Sequence, residues 1–424
     1  YVIMMEQIIA GGVFLLVMVL IVTEKVHRTA AAVLGMAVLL FTKVISLDKA
    51  IEHIDFNTLG VLLGMMIFVG VVRKSGLFEY VAIKAAKLAK GDPWRIMMAF
   101  IVITAFFSAM LDNVTTVLLI APMTLTITNI LNVDPVPYLI TQALASNIGG
   151  TGTLIGDPPN IMIGSATGFD FMEFLVNDGV PALIILVAVI VLMKFIYGRK
   201  LHVDDTAKRH IMRLEEKKAI KDAGLMKKSL VMIVLVAAGF VLHGQIGIES
   251  SVIALSAAAV MFVIGRQDVE DIVYDVEWPT IIFFMGLFVI VGAMVETGII
   301  EKLADLMLSS TEGHPVVTML VLLWASALIS SVLDNIPFVA TLIPMVALME
   351  QGGMDVFPLW WAISLGACLG GNGTLIGASA NVVVASISGK NGHPISFAQF
   401  TKVGFPVMIF TMLIATAYML IKFA

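Results

Sequence analysis

Two stretches carry the residues with the most chemistry. Residues 146–160, Ser-Asn-Ile-Gly-Gly-Thr-Gly-Thr-Leu-Ile-Gly-Asp-Pro-Pro-Asn, return in altered form at 367–381 as Ala-Cys-Leu-Gly-Gly-Asn-Gly-Thr-Leu-Ile-Gly-Ala-Ser-Ala-Asn. The first copy supplies Asn147, Thr151, Thr153, Asp157 and Asn160, and the second supplies Cys368, Asn372, Thr374, Ser379 and Asn381. Both copies lie inside long apolar runs. Polar, Gly-rich and Pro-bearing backbone at membrane depth is tolerated only where it is buried in protein or lines a wet cavity. Two such segments in matching places point to a substrate site between repeats. Pro158 and Pro159 break helix hydrogen bonding, and Gly149, Gly150 and Gly152 admit an unwound backbone. Carbonyls freed in this way can bind a cation, and N–H groups at half-helix starts can bind an anion.

A second pair of motifs, Asp112-Asn113 and Asp334-Asn335, is flanked on both sides by apolar residues. A carboxylate near the middle of a bilayer costs a few kcal/mol and marks a functional site by default. Asp and Asn also cap helices, so each pair can start a returning half-helix as well as handle an ion. Pro337 suits the first turn of that helix, where a missing N–H is harmless. The two break motifs are not chemically equal: Asp157 aligns with Ala378, and Asn147 aligns with Cys368. Asp112, Asp157 and Asp334 together would make a strongly acidic site unless a proton or cation fills it, which suits a coupling ion and disfavours a bare dicarboxylate. Cys368 is read as a space-filling buried residue that could also act as a soft ligand. No other metal site is indicated beyond sodium at the same loops.

The elements that position these residues are membrane spans. Of 424 residues, 59% are hydrophobic and 13% charged, against about 25% charged in an ordinary soluble domain. One cysteine excludes an internal disulfide framework. The first apolar segment has no small-residue cleavage pattern after it, so no cleavable signal peptide is expected. Beyond the two pairs of motifs, Asp55–Gly76 matches Glu277–Gly298 and Pro122-Met123 matches Pro344-Met345, all at an offset of about 222 residues. The expected fold is an all-α polytopic membrane protein of two inverted repeats, each with five transmembrane spans, a re-entrant hairpin and an interrupted helix. The first repeat covers 1–197, with its hairpin at about 95–131 and its interrupted helix at about 137–168. A cytoplasmic linker covers 198–228. The second repeat covers 229–424, with its hairpin at about 315–350 and its interrupted helix at about 357–388. This arrangement puts nearly all basic residues on one side, leaving Lys43, Lys49, Lys302 and Lys422 outside, as the positive-inside rule requires. It makes 169–179, which has no Lys or Arg, an outer loop and places both termini outside. The linker reads as a solvated connector, and 78–92 and 297–309 as surface-lying helices. The seven histidines lack helical metal spacing, the Gly-x-Gly pieces follow no strand, and no nucleophile has a base beside it, so neither an enzyme nor a nucleotide site is indicated.

The motifs Phe107–Thr116, Ala145–Asn160, Ser331–Phe338 and Gly366–Asn381 resemble those of the ion transporter superfamily, in its ArsB / P protein branch. The resemblance covers nearly the whole chain apart from the linker. It implies a scaffold domain and a transport domain, an elevator-like motion, a homodimer in the cell membrane and, in some arsenite systems, a soluble ATPase partner. The related sodium–dicarboxylate carriers have Ser-Asn-Thr at the hairpin tips, where this chain has Asp-Asn-Val and Asp-Asn-Ile. Within this branch the expected function is secondary transport of a small ion coupled to Na+ or H+, with arsenite or antimonite efflux as the leading cargo. Sodium/proton exchange, passive anion passage and dicarboxylate or citrate symport are the alternatives. No cofactor and no nucleic-acid partner is expected.

Overall fold

A computed structural model describes residues 2–23 and 25–424, and among them every regular element is helical. The first part of the chain forms α1 (Val2–Thr23), α2 (Arg28–Phe41), α3 (Leu47–His53), α4 (Phe56–Arg73), α5 (Leu77–Leu88), α6 (Pro93–Met110), α7 (Asn113–Leu131), α8 (Val136–Thr151), α9 (Pro158–Thr167), α10 (Phe171–Phe174) and α11 (Val180–Tyr197). A connecting segment carries α12 (Asp205–Met212). The remainder forms α13 (Ala223–Ile246), α14 (Ser250–Gly265), α15 (Val269–Tyr274), α16 (Trp278–Glu296), α17 (Ile299–Ser310), α18 (Pro315–Ser330), α19 (Asn335–Gln351), α20 (Phe357–Gly370), α21 (Ser379–Lys390) and α22 (Phe397–Phe423). Among the described residues, eight helices are long and apolar enough to cross a membrane, or up to nine if α17 and α18, which meet at a 120° bend, count as one broken span. Leu15, Leu183, Val234 and Val263 stand exposed on the outer helices, where hydrocarbon rather than water suits them.

Local chemistry sets the helix boundaries. Asp55, Asp92 and Asp222 each accept a hydrogen bond from the backbone N–H three residues on, at 3.0, 2.8 and 2.9 Å, and so start α4, α6 and α13. Pro93, Pro158 and Pro315 occupy first helical positions, where their lack of an N–H costs nothing.

The helices pack in two groups. In one, α2 lies against α16 and α4 against α14, with α1, α3, α13 and α15 around them. In the other, α6 packs on α8 and α18 on α20, and α7, α9, α19 and α21 close around these pairs. Close approach depends on glycine. A Cβ on Gly149 would stand 2.1 Å from the Ala105 carbonyl oxygen, and one on Gly370 would stand 2.4 Å from that of Ala327. Gly149 and Gly150 are helical residues within α8, so small size rather than backbone freedom is what they contribute. The breaks themselves run over 152–157 and 371–378.

Two other expectations change. Residues 169–179 are not an outer loop: α10 and the π-turn Leu175–Gly179 run directly into α11, which buries Asn177 and Asp178. The linker is docked rather than freely solvated. The Lys221 N–H donates to the Ser75 carbonyl at 3.0 Å, Lys87 of α5 pairs with Glu216 at 2.6 Å, and α12 packs on α5 and α7.

Candidate functional site

The tips of the α6–α7 and α18–α19 hairpins meet the broken helices α8–α9 and α20–α21 at the centre of the second helix group. Asp112 accepts from the Thr115 N–H at 2.8 Å and Asp334 from the Ile336 N–H at 3.4 Å, so both carboxylates do cap the returning helices. The following asparagines turn inward. Asn113 Nδ2 donates to Asp157 Oδ2 at 3.2 Å and to Asn147 Oδ1 at 3.1 Å. Asn335 Nδ2 faces Asp157 from the other hairpin, 3.3 Å from Oδ1. Asp157 is 1% exposed and is therefore held by one amide from each hairpin.

These amides form a chain with a fixed direction. Asn381 Nδ2 donates to the carbonyls of Gly371 and Thr374 at 2.8 and 3.0 Å, so its Oδ1 must be an acceptor. It accepts from Asn147 Nδ2 at 3.1 Å, and Asn372 Oδ1 accepts from the same nitrogen at 2.9 Å. That leaves Asn147 Oδ1 to accept from Asn113, whose nitrogen then points at Asp157. Reversing any one of these buried amides would set oxygen against oxygen, so the polarity of the chain is set by the broken backbone at Gly371–Thr374 and ends on Asp157.

The threonines of the motifs serve the scaffold. The Thr153 hydroxyl donates to the Ala109 carbonyl, and the Thr374 hydroxyl donates to that of Ser331 at the equivalent place. Thr151 donates back to the Asn147 carbonyl at 2.7 Å. Asn160 Nδ2 gathers the carbonyls of Gly150, Thr151 and Thr153, as Asn381 does in the other break. These groups latch the breaks to the hairpins instead of opening onto the cavity. Cys368 is buried with its Sγ 3.7 Å from Asn160 Oδ1 and lies against Asp157 and Thr151.

Between the hairpin tips is a cavity of about 30 Å³, lined by Asp112, Asn113, Asp157, Asn335 and Ser379, and by Arg28, Glu277 and Thr280 from the other helix group. It is large enough for a water-sized guest. In the sequence Arg28 is one of the many basic residues placed on the inner side and nothing more. Its Nη1 binds Asp334 Oδ2 at 2.9 Å and Ser379 Oγ at 2.6 Å, its Nη2 binds Thr280 Oγ1 at 3.2 Å, and its guanidinium sits 5.2 Å from the centre of the Phe283 ring. On the far side of Arg28 and Ser379 lies a larger cavity of about 330 Å³, lined by Ile21, His27, Val332, Ile376 and Val383. The arginine thus stands between the outer cavity and the inner chamber. Glu277 had a signal in the sequence, since it occupies the repeat position of Asp55, whereas no sequence signal marked Arg28. Buried Asp178 and Ser364 were also missed.

An all-helical bundle of span-length helices with a buried polar chamber at two helix breaks defines a multi-pass membrane transporter. The chain belongs to the CitMHS family, described as citrate transporters, whose model matches residues 18–366. It is 41% identical to an uncharacterized transporter of Mycobacterium tuberculosis over 424 residues, covering 98% of this chain and 99% of that one. It is 40% identical to the 46 kDa membrane protein of Mycobacterium leprae over 426 residues, with the same two shares. The P protein of mouse is 34% identical over 503 residues, which cover 98% of this chain and 60% of that protein. These relatives agree with the resemblance carried by the motifs. The YdaH transporter of Alcanivorax borkumensis has a similar fold, with a TM-score of 0.60, 14% identity, and coverage of 89% of this chain and 88% of that one.

Proposed function

We propose that the protein is a proton-coupled secondary transporter in which Asp157 carries the proton. The observation behind this reading is the amide chain. Asp157 meets N–H groups from Asn113 and Asn335, while the Oδ1 atoms of Asn147, Asn372 and Asn381 already accept hydrogen bonds within the chain of amides. Such a carboxylate suits a proton, which needs one oxygen, better than sodium, which needs a shell of oxygens. In this reading protonation of Asp157 loosens its hold on the two hairpin tips, because a neutral acid accepts more weakly from amides than a carboxylate does. The helix group that holds the tips then moves against the group of α1–α4 and α13–α16 in an elevator-like step. Arg28 and Glu277 reach the chamber from the α1–α4 and α13–α16 side and act as the contacts made and broken. The charge distribution supports a cytoplasmic linker and external termini.

The chamber also bears on cargo. Asp112, Asp157 and Glu277 outnumber Arg28, which is already paired to Asp334. A free tricarboxylate such as citrate, the cargo in the family's description, meets excess negative charge there, and so does a permeating anion. A small neutral or cationic solute is not repelled by it. Arsenous acid, uncharged near neutral pH, is the cargo we favour, with Cys368 beside Asp157 as a soft donor. Exchange of sodium for protons is the second reading, favoured by a chamber that admits only a water-sized guest.

The test is reconstitution into liposomes holding a pH dye, with separately imposed gradients of arsenite, sodium and citrate. Proton flux driven by the arsenite gradient supports the first reading, and flux driven by the sodium gradient supports the second. Flux driven by citrate alone contradicts both. A conductance that follows an anion gradient with no proton movement contradicts coupling altogether.

A further inference from the structure

Asp178 lies outside the chamber and takes no part in the reading above. It sits in the π-turn Leu175–Gly179 and is 0% exposed. Its Oδ2 meets Ser364 Oγ of α20, and its Oδ1 has no hydrogen-bond partner among the described residues. Ser364 Oγ also lies 2.6 Å from Asn160 Oδ1. A serine hydroxyl has one hydrogen to donate, and both of these neighbours are acceptors if Asp178 is ionised. One of them must therefore supply a hydrogen.

Asn160 cannot do so. Its Nδ2 donates to the carbonyls of Thr153 at 2.9 Å, Thr151 at 3.0 Å and Gly150 at 3.4 Å. Turning the amide over would place its oxygen against three carbonyl oxygens. Asn381, at the equivalent position, is held the same way round by Gly371 and Thr374. The Cys368 thiol is a further donor toward Asn160 Oδ1, which fixes that oxygen as an acceptor. The hydrogen has to come from Asp178.

We infer that Asp178 is a second proton-binding site, a neutral carboxylic acid that donates to Ser364, which in turn donates to Asn160. Its proton acts as a positioning element. Asn160 gathers the carbonyls of the first helix break, and Ser364 orients Asn160. Were the proton lost, Ser364 would turn its hydrogen to the carboxylate and Asn160 would lose its hydroxyl donor. The titratable groups around Asp178 are Cys368 of α20 and Lys422 and Tyr418 of α22. The lysine is engaged by Asn177 Oδ1 at 2.6 Å and Tyr418 Oη at 3.0 Å, and it makes no hydrogen bond to Asp178 among the described residues. This inference rests on hydrogen counting and stands apart from the role given to Asp157.

Infrared spectroscopy of the reconstituted protein at neutral pH tests it, together with the rate at which a maleimide labels Cys368, the chain's one cysteine. The wild type should show the carbonyl stretch of a protonated carboxylic acid, with a component that disappears in Asp178→Asn. Because an amide can donate to Ser364 as the acid does, Asp178→Asn should keep labelling within about twofold of wild type, whereas Asp178→Ala, which removes the buried donor, should raise it about tenfold. If Asp178→Asn removes no infrared component, or labels as fast as Asp178→Ala, Asp178 is ionised and the inference fails.

Discussion

Replacing Arg28 by Gln should release the contact that separates the outer cavity from the chamber. The guanidinium holds Asp334, Ser379 and Thr280 at 2.9, 2.6 and 3.2 Å, and the side chains of Arg28 and Asp334 are 26% and 11% exposed. Breaking a fully buried pair by removing one partner costs about 3–5 kcal/mol, while an exposed pair is worth about 0–1 kcal/mol. With one partner a quarter exposed, we place the loss at about 1–3 kcal/mol, which shifts an opening equilibrium by about 5- to 150-fold. Cys368 is a built-in reporter, because it is buried beside Asp157 and no other cysteine competes for the label. Maleimide labelling in membranes should accelerate at least about fivefold in Arg28→Gln. Asp334→Asn should act in the same direction, and the double variant should exceed neither single variant by much, since both remove one interaction. Arg28→Lys should fall between, because an ammonium cannot serve three partners with a fork. If labelling is unchanged in Arg28→Gln, or if the two substitutions are additive, the pair does not hold the chamber shut.

Three further outcomes follow from the same geometry. Asn147→Asp removes the donor to Asn372 and Asn381 and sets a second acid in the middle of the chain of amides, so proton flux should fall at least about tenfold, while Asn147→Gln should retain more of it; flux assays in liposomes decide this. Gly149→Ala and Gly370→Ala force α8 from α6 and α20 from α18, and each should lower stability by about 1–3 kcal/mol, read as a fall in the melting temperature of the purified protein. Glu216 is held below the ordinary carboxylate range by its hydrogen bond from Lys87. A group with a depressed value in the folded state stabilises above the unfolded value and loses that contribution as pH falls through the folded one. The protection of backbone amides over 198–222, taken as the exchange rate relative to the intrinsic rate at each pH, should therefore fall on acidification below about pH 4.5, and Glu216→Gln should show the lower protection already at neutral pH.

What the sequence could reveal was set by what repeats and by what is costly to bury. Asp112, Asp334 and the two broken segments stood out because carboxylates, glycines and prolines are conspicuous in apolar runs, and the structure brings them to one place. The unequal pair Asp157 and Ala378 was visible by alignment alone, and it is Asp157 that the two hairpin amides meet. Arg28 was not legible, because an arginine at the start of a span looks the same whether it faces lipid headgroups or reaches a carboxylate 306 positions away. Asp178 lies in a segment that reads as an outer loop because it has no Lys or Arg, whereas a π-turn lets the helix continue and carries the carboxyl inside. Gly149, Gly150 and Gly152 read in the sequence as sites of unwinding, yet at Gly149, as at Gly370 in the other half, it is the missing Cβ that matters. The linker looked solvated because composition reports polarity and not the surface it lies against, which here is α5.

The central claim is that Asp157 carries the coupling proton. It is tested most directly by measuring proton movement and cargo exchange together in liposomes containing Asp157→Asn. A neutral amide keeps the size of the side chain but cannot bind and release a proton. The account predicts that cargo still exchanges down its own gradient in this variant while proton flux and proton-driven accumulation are lost, and that Asp157→Glu recovers part of both. Full proton coupling in Asp157→Asn would contradict it.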